Sequence, residues 1–509
     1  MVPTRRLTRQ TVGLFLGPAS FLFLYVGNPF GLDPAATAVL AGTAWVVLWW
    51  VTEALPIPVT SLLPIVLFPM TGVMSVGNAT APYADPIVFL LLGGFLIALA
   101  IERWNLHHRL SLLIISSVGT GGSRLILGFM GATAVLSMWI SNTATAMMMV
   151  PIGAAVIVEL TSVGGRRTPM LDREDILEPN DPRDVQGELL HSVDTDPEAL
   201  PNTAFGIALM LGIAYGASIG GAATLIGSPP NAVLAGVAAS SLGVDIGFLE
   251  WMLVGVPLAT VFLFVTWGIL IVLLRPTIDR QPGREDVIDD QLAELGAMTT
   301  GERRVLGVFG LVAAAWVLRP FLLQPAFPML TDAVIAIAGA VLVFVVPVDG
   351  ERLLDWEYTT RVPWGVLLLL GAGFSIARGF QESGLDETVA DAIAGLGITE
   401  LAAMILLVAT VVIVLTNVTS NTATASLFMP ITLSIGLAIG VAPLTLMATA
   451  AFAASFAFVL PVATAPNAIV FGSGYLTIPE MAKVGLAITL PAILAISAFA
   501  IWWIPVVWS

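Results

Sequence analysis

Cysteine is absent from the 509 residues, and histidine occurs three times, at His107, His108 and His191, all in polar connections. Disulfide frameworks, thiolate chemistry and a buried histidine-based metal site are thereby excluded. Lys483 is the single lysine beside nineteen arginines, and charged residues make up 11% of the chain against 57% hydrophobic. With a strongly positive mean hydropathy, that scarcity places the chain among polytopic membrane proteins. The net charge of -15 comes from acidic residues crowded into connections at 172–198 and 286–294, which read as a solvated surface. Nothing in this distribution offers a basic face to nucleic acid. Any machinery at depth is left to hydroxyls, amides and backbone groups.

Eleven apolar stretches could cross a bilayer, near 12–27, 35–51, 55–70, 86–101, 205–240, 251–274, 304–318, 332–347, 364–380, 443–475 and 484–507. The first follows Arg5, Arg6 and Arg9 but has no small-residue cleavage site after it, so it reads as a retained helix. Two further stretches, 124–160 and 400–437, are too long for one helix and too short for two crossings, and each has a polar cluster near its middle. They are predicted to be re-entrant helical hairpins. Placing the N-terminus in the cytoplasm puts eighteen of the twenty basic residues inside, leaving Arg319 and Arg378 outside, and the C-terminus then lies outside. On that map the first hairpin opens from the cytoplasm and the second from outside, so the halves are inverted repeats, the geometry of an alternating-access carrier.

The repeat is legible in the residues themselves. SNTATAMMMVPI at 141–152 returns as SNTATASLFMPI at 420–431, and IGSPPNAVLAG at 226–236 returns as VATAPNAIVFG at 462–472. A looser pair aligns 86–106 with 363–385. Asn142 and Asn231 are 89 residues apart and Asn421 and Asn467 are 46 apart, a surplus nearly equal to a polar insert at 163–203. Proline lacks the backbone donor and clashes with the preceding turn, so Pro229, Pro230 and Pro466 should break their helices. A break offers free carbonyls from one half and free N–H groups from the other. Ser141, Asn142 and Thr143 with Ser420, Asn421 and Thr422 add neutral oxygens and donors. Sodium suits several neutral oxygens, and an anion suits helix N-termini with Asn and Thr donors. One isolated Ser-Asn-Thr reads as helix packing, but duplication of both features favours a site. Trp45, Trp49 and Trp50 read as an interfacial belt, and Glu53 as a structural carboxylate.

These motifs, with Trp49 to Pro58 (WWVTEALPIP), make the chain resemble the divalent anion/sodium symporter family over nearly its whole length. The resemblance implies an all-α fold of eleven membrane helices, two re-entrant hairpins and two broken helices, working as an elevator-type homodimer in the plasma membrane. It implies a mainly scaffold role for 1–123 and 304–399. The transport domain would be hairpin 124–160, helices 204–275, hairpin 400–437 and helices 438–509, with 161–203 an acidic cytoplasmic insert and 276–303 a cytoplasmic linker. By the same resemblance Ser137, Ser141, Asn142 and Gly227 would hold one sodium ion, and Thr416, Thr419, Ser420, Asn421 and Ala463 another. Substrate would meet Asn142, Thr143, Asn421 and Thr422, with Ser228 and Thr464 nearby. Ser228 stands where the family usually has Thr, and Ala465 where it often has Pro. The expected activity is sodium-coupled import of a C4-dicarboxylate, with no cofactor and no enzymatic chemistry. A sulfate symporter and a sodium-independent dicarboxylate exchanger are the alternatives.

Overall fold

A computed structural model describes residues 9–119, 121–161, 203–276, 287–394 and 400–508. The acidic insert and His191 lie outside the described residues, as does most of the linker's first half. Among the described residues, twenty α-helices of eight or more residues carry the fold: α1 (Arg9–Gly27), α2 (Pro34–Thr52), α3 (Leu63–Met70), α4 (Pro86–Arg103), α5 (Leu106–Val118), α6 (Gly122–Ser137), α7 (Asn142–Thr161), α8 (Ala204–Gly221), α9 (Pro229–Val237) and α10 (Phe248–Leu274) in the first half. They continue as α11 (Val287–Glu294), α12 (Thr300–Leu318), α13 (Asp332–Val345), α14 (Trp364–Ser383), α15 (Leu385–Ala394), α16 (Leu401–Thr416), α17 (Asn421–Ala438), α18 (Pro443–Ser455), α19 (Ala465–Gly472) and α20 (Ile478–Ala498). One two-residue hairpin pairs Val348 with Glu351 and Pro347 with Arg352.

Among the described residues, eight helical stretches are long and apolar enough to cross a membrane, and each falls on one of the eleven predicted stretches. The other three predicted stretches coincide with shorter apolar helices, Ile57–Met70, Asp332–Val345 and Pro443–Ser455. Burial separates two kinds of helix. Along α1, Phe15, Phe23 and Val26 are exposed, as a lipid-facing helix requires, whereas α8 is buried from Phe205 to Gly221. The stripe Gly212, Gly216 and Gly220 explains how α8 sits so deep. A Cβ on Gly216 would lie 2.8 Å from the Met130 carbonyl oxygen and one on Gly220 2.2 Å from that of Ala134, so α6 and α8 touch backbone to backbone.

The repeated sequences occupy equivalent places. Helices α6, α7, α8 and α9 correspond to α16, α17, α18 and α19. In each set the first helix packs on the third, α6 on α8 and α16 on α18. The short helices cross over: α9 packs against α17 of the other repeat, and α19 against α7. The core between them is one continuous apolar cluster, within which the Phe262 ring contacts those of Phe456 and Phe458.

Three readings need correction. Trp49 and Trp50 are buried, not interfacial: Trp49 Nε1 donates to the Gly13 carbonyl at 2.9 Å and Trp50 Nε1 to Ser61 Oγ at 3.3 Å, pinning α2 to its neighbours. His107 and His108 lie on α5 rather than in a loop. His107 Nδ1 donates to the Ile101 carbonyl at 3.1 Å, and burial lowers its pKa to about 4. Arg109, one of the eighteen basic residues that the sequence map places in cytoplasmic ends and loops, is buried. Its Nε meets Glu302 Oε1 at 2.8 Å, and its other nitrogens cap the end of α11 at the Leu295 and Gly296 carbonyls.

Candidate functional site

The two Ser-Asn-Thr clusters stop a helix and start the next, because Ser, Asn and Thr side chains compete with the backbone for its own hydrogen bonds. After Ser137 the chain turns through 138–141 and restarts at Asn142; after Thr416 it turns through 417–420 and restarts at Asn421. Ser141 Oγ accepts from the Ala144 amide at 3.2 Å, whereas Ser420, in extended conformation at the head of α17, makes no such cap.

In the first repeat, Ser137 Oγ donates to the Ala217 carbonyl at 2.8 Å. The Asn142 amide is oriented with its nitrogen toward the Ala217 carbonyl (3.3 Å), Ser137 Oγ (2.6 Å) and the Gly227 carbonyl (3.2 Å), so that each contact pairs a donor with an acceptor. A side chain at position 221 would collide with it, a Cβ there lying 2.4 Å from the nearer atom of the Asn142 amide. In the second repeat, Thr416 Oγ1 contacts the Ala454 carbonyl at 2.8 Å and Asn421 Oδ1 at 2.9 Å. Ser137, Asn142 and Gly227 therefore come together as the sequence predicts, and so do Thr416 and Asn421. Ser141 caps its own helix beside this cluster. Thr419 turns elsewhere, to the Leu415 carbonyl (2.9 Å) and Thr424 Oγ1 (2.6 Å). Ala463, at the position equivalent to Gly227, is buried at the end of the turn Pro461–Ala463. Thr143 is half-buried and Thr422 buried, each in the first turn of its helix.

The helix breaks fall where the prolines put them, at 222–228 and 456–464. Several of the carbonyls expected to be free there are held by side chains. Asn231 Nδ2 donates to the Gly221 (2.9 Å) and Thr224 (2.7 Å) carbonyls, and Asn467 Nδ2 to those of Ala457 (3.1 Å) and Leu460 (3.0 Å), with identical sequence spacing. The Ala222 carbonyl accepts from Trp251 Nε1 at 3.1 Å, and the equivalent Phe458 carbonyl from the Tyr215 hydroxyl at 3.0 Å. A buried carbonyl left unpaired is costly, and these side chains remove that cost before any ligand arrives. Among the described residues, Asn231 Oδ1 and Asn467 Oδ1 are buried without a hydrogen-bond partner, and Asn421 Oδ1 contacts only Thr416 Oγ1.

Ser228 and Thr464 head α9 and α19 in the same extended conformation. Thr464 Oγ1 caps the Asn467 amide at 3.2 Å, while Ser228 Oγ instead lies 3.4 Å from Ser455 Oγ. That contact joins the repeats. Gly227, which meets Asn142, precedes Ser228, and Ser455 follows Ala454, which meets Thr416 and through it Asn421. Two cavities lie away from this cluster, one of about 220 Å³ at Pro151, Ile152 and Gln291 and one of about 570 Å³ at Gln10 and 53–58.

Sequence reasoning missed Asn231 and Asn467 as carbonyl caps, together with Tyr215, Trp251, Thr224, Asn417 and Ser455. Thr224 carried a signal, being a polar residue in an apolar run seven residues before a motif asparagine, and Asn417 lies in the mostly polar run 416–422 four residues before another. Thr224 Oγ1 donates to the Met138 carbonyl and accepts from the Gly227 amide at 3.1 Å; Asn417 Oδ1 accepts from the Val459 amide at 2.9 Å. Nothing in the sequence marked Tyr215 or Trp251 out from core aromatics.

Residues 13–509 match the family described as the sodium:sulfate symporter transmembrane region. The sodium-dependent dicarboxylate transporter SdcS of Staphylococcus saprophyticus is 42% identical over 496 residues, 96% of this chain and 90% of that protein. The SdcS protein of Staphylococcus aureus strain MRSA252 is 40% identical over 508 residues, 98% of this chain and 92% of that protein. Among solved structures, the Alcanivorax borkumensis YdaH transporter superposes with a TM-score of 0.51 at 14% identity, covering 87% of this chain and 89% of that one. The Neisseria gonorrhoeae MtrF structure gives 0.55 at 12% identity, covering 84% and 82%. At such identity these two likenesses concern the fold alone.

Proposed function

The chain belongs to the sodium:sulfate symporter family, and from that premise we propose that it imports a C4-dicarboxylate such as succinate, malate or fumarate together with two or more sodium ions. Relatives named as sodium-dependent dicarboxylate transporters, alike over nearly the whole chain, support sodium coupling and a dicarboxylate cargo. The observation that carries the reading is the duplicated cage. Ser137 and Asn142 meet at the Ala217 carbonyl, and Thr416 contacts both the Ala454 carbonyl and Asn421, in two copies of one helix arrangement.

The physical logic is that of a neutral cage. Hydroxyl, amide and carbonyl oxygens hold an alkali ion without trapping it, and two bound ions supply the positive charge that a dianion needs. The N-termini of α7, α9, α17 and α19, headed by Asn142, Ser228, Asn421 and Thr464, add partial positive charge for the carboxylates. Cation and anion binding are then mutually reinforcing. In this reading Thr143 and Thr422 contact the substrate, Ser141, Thr419, Ser420 and Ala463 complete the sodium shells, and α6–α7 and α16–α17 are re-entrant hairpins among eleven crossings. The transport domain, comprising those hairpins with α8–α10 and α18–α20, moves as an elevator within a homodimer in the plasma membrane, its N-terminus cytoplasmic and C-terminus outside. Uptake of labelled succinate by reconstituted vesicles under inward sodium, potassium or proton gradients tests it. Uptake driven by sodium alone is expected; indifference to sodium rejects symport, and uptake only against internal dicarboxylate marks an exchanger.

A further inference from the structure

Each repeat bridges the gap between its helix-joining turn and its break with one polar side chain, and the two repeats take that side chain from opposite sides. In the first repeat it comes from the break. Thr224 is fully buried, and its hydroxyl donates to the Met138 carbonyl while accepting from the Gly227 amide at 3.1 Å. In the second repeat it comes from the turn. Asn417 is buried, its Oδ1 accepting from the Val459 amide at 2.9 Å and its Nδ2 donating to the Ile413 carbonyl at 2.7 Å. The equivalent of Thr224 in the second repeat is Leu460, and the equivalent of Asn417 in the first is Met138, neither of which can make such a bond. The crossing is kept though its chemistry is exchanged.

We propose that Thr224 and Asn417 are positioning residues that set the sodium affinity of the first and second cages; the inference rests on the sodium-coupled reading above. Both bridges end next to the atoms that a cation would use. Met138 follows Ser137, and Gly227 supplies the carbonyl that faces the Asn142 amide. Asn417 follows Thr416, whose hydroxyl contacts Asn421, and Val459 lies between the Ala457 and Leu460 carbonyls held by Asn467. A cage of neutral oxygens binds an ion well only if its members are already in place, so a bond that fixes turn against break acts on affinity through geometry. Thr224 is itself fixed, its carbonyl accepting from Asn231 Nδ2 at 2.7 Å.

The test uses the purified full chain and sodium alone. Its thermal unfolding midpoint is titrated with sodium chloride against choline chloride at constant ionic strength, for the wild type, Thr224→Val, Thr224→Ser and Asn417→Leu. Thr224→Val and Asn417→Leu are expected to need roughly five to ten times more sodium for half-maximal stabilisation, the equivalent of one hydrogen bond. Thr224→Ser, which keeps the hydroxyl, is expected to restore the wild-type half-point. A sodium half-point unmoved in both variants, even with a lower midpoint in choline, makes the bridges purely structural and overturns the proposal. Should the two variants not fold, Thr224→Ala and Asn417→Ala are read the same way; misfolding of all four also overturns it. A wild type that sodium does not stabilise rejects the sodium-coupled function and this inference with it, whereas a sodium-stabilised wild type with unaltered variants rejects this inference alone.

Discussion

Two asparagines of the first repeat have opposite expected phenotypes. Asn142→Ala removes a nitrogen facing three acceptors, but two of them keep other partners: the Ala217 carbonyl still accepts from Ser137 Oγ, and Ser137 Oγ still donates to it. The Gly227 carbonyl, which has no such second bond among the described residues, is the acceptor left short, so the loss of stability is that of one buried acceptor, roughly 1 to 3 kcal/mol. Asn231→Ala strips the donor from both the Gly221 and Thr224 carbonyls at a fully buried position, and costs roughly 2 to 6 kcal/mol. Paired measurements of unfolding midpoint and vesicle uptake separate them. Asn142→Ala is expected to be recovered folded, with a modestly lowered midpoint and no sodium-driven uptake; Asn231→Ala is expected to lose most of its folded yield. Wild-type uptake by Asn142→Ala would remove that residue from the site. A wild-type midpoint for Asn231→Ala would show that the break carbonyls do not need their cap.

Further expectations follow from packing and charge. Gly220→Val, whose Cβ would sit 2.2 Å from the Ala134 carbonyl oxygen, should force α6 and α8 apart and abolish folded yield in detergent, while Gly268→Ala, whose Cβ would meet nothing within 4 Å, should change the midpoint by less than about 1 kcal/mol equivalent. Arg319 Nε and Asp332 Oδ1 form a buried pair at 2.8 Å, and Asp332 Oδ2 also accepts from the Phe248 amide at 2.7 Å. Asp332→Ala leaves a buried guanidinium unpaired and should cost about 3 to 5 kcal/mol, more than the double replacement with Arg319→Leu, as a double-mutant cycle on unfolding midpoints would read. His107 has its pKa lowered to about 4 by burial, so the unfolded chain binds its proton more readily. Its contribution is present above the ordinary histidine range near 6.5 and is lost as pH falls from there toward 4, by at most about 3 kcal/mol. His107→Gln should flatten that part of the stability–pH curve, and an unchanged curve would refute the assignment.

Much of the site was legible because a duplicated polar cluster has no bland explanation in an apolar run. The SNT and Pro-Asn motifs located both turns and both breaks to within a few residues, and the grouping of Ser137 with Asn142 and of Thr416 with Asn421 came from the family resemblance. The tryptophans misled because an indole in a Trp-rich stretch near a helix end satisfies the pattern of an interfacial belt equally well when it is buried. Arg109 misled because an arginine flanked by polar residues reads as solvated, and only the approach of Glu302, 193 residues away, shows otherwise.

Composition and internal repetition alone determined that the chain is a mostly helical membrane protein with two copies of a turn and a break, since period, proline chemistry and hydropathy are local properties of the residues. Which carbonyls remain available was decided by the tertiary structure. Trp251, Tyr215, Asn231 and Asn467 take the ones that a broken helix would otherwise expose, and α9 and α19 each lodge against the other repeat. Hydrogen-bond satisfaction in an apolar interior depends on what side chains from distant segments bring within 3 Å, and no local pattern encodes that.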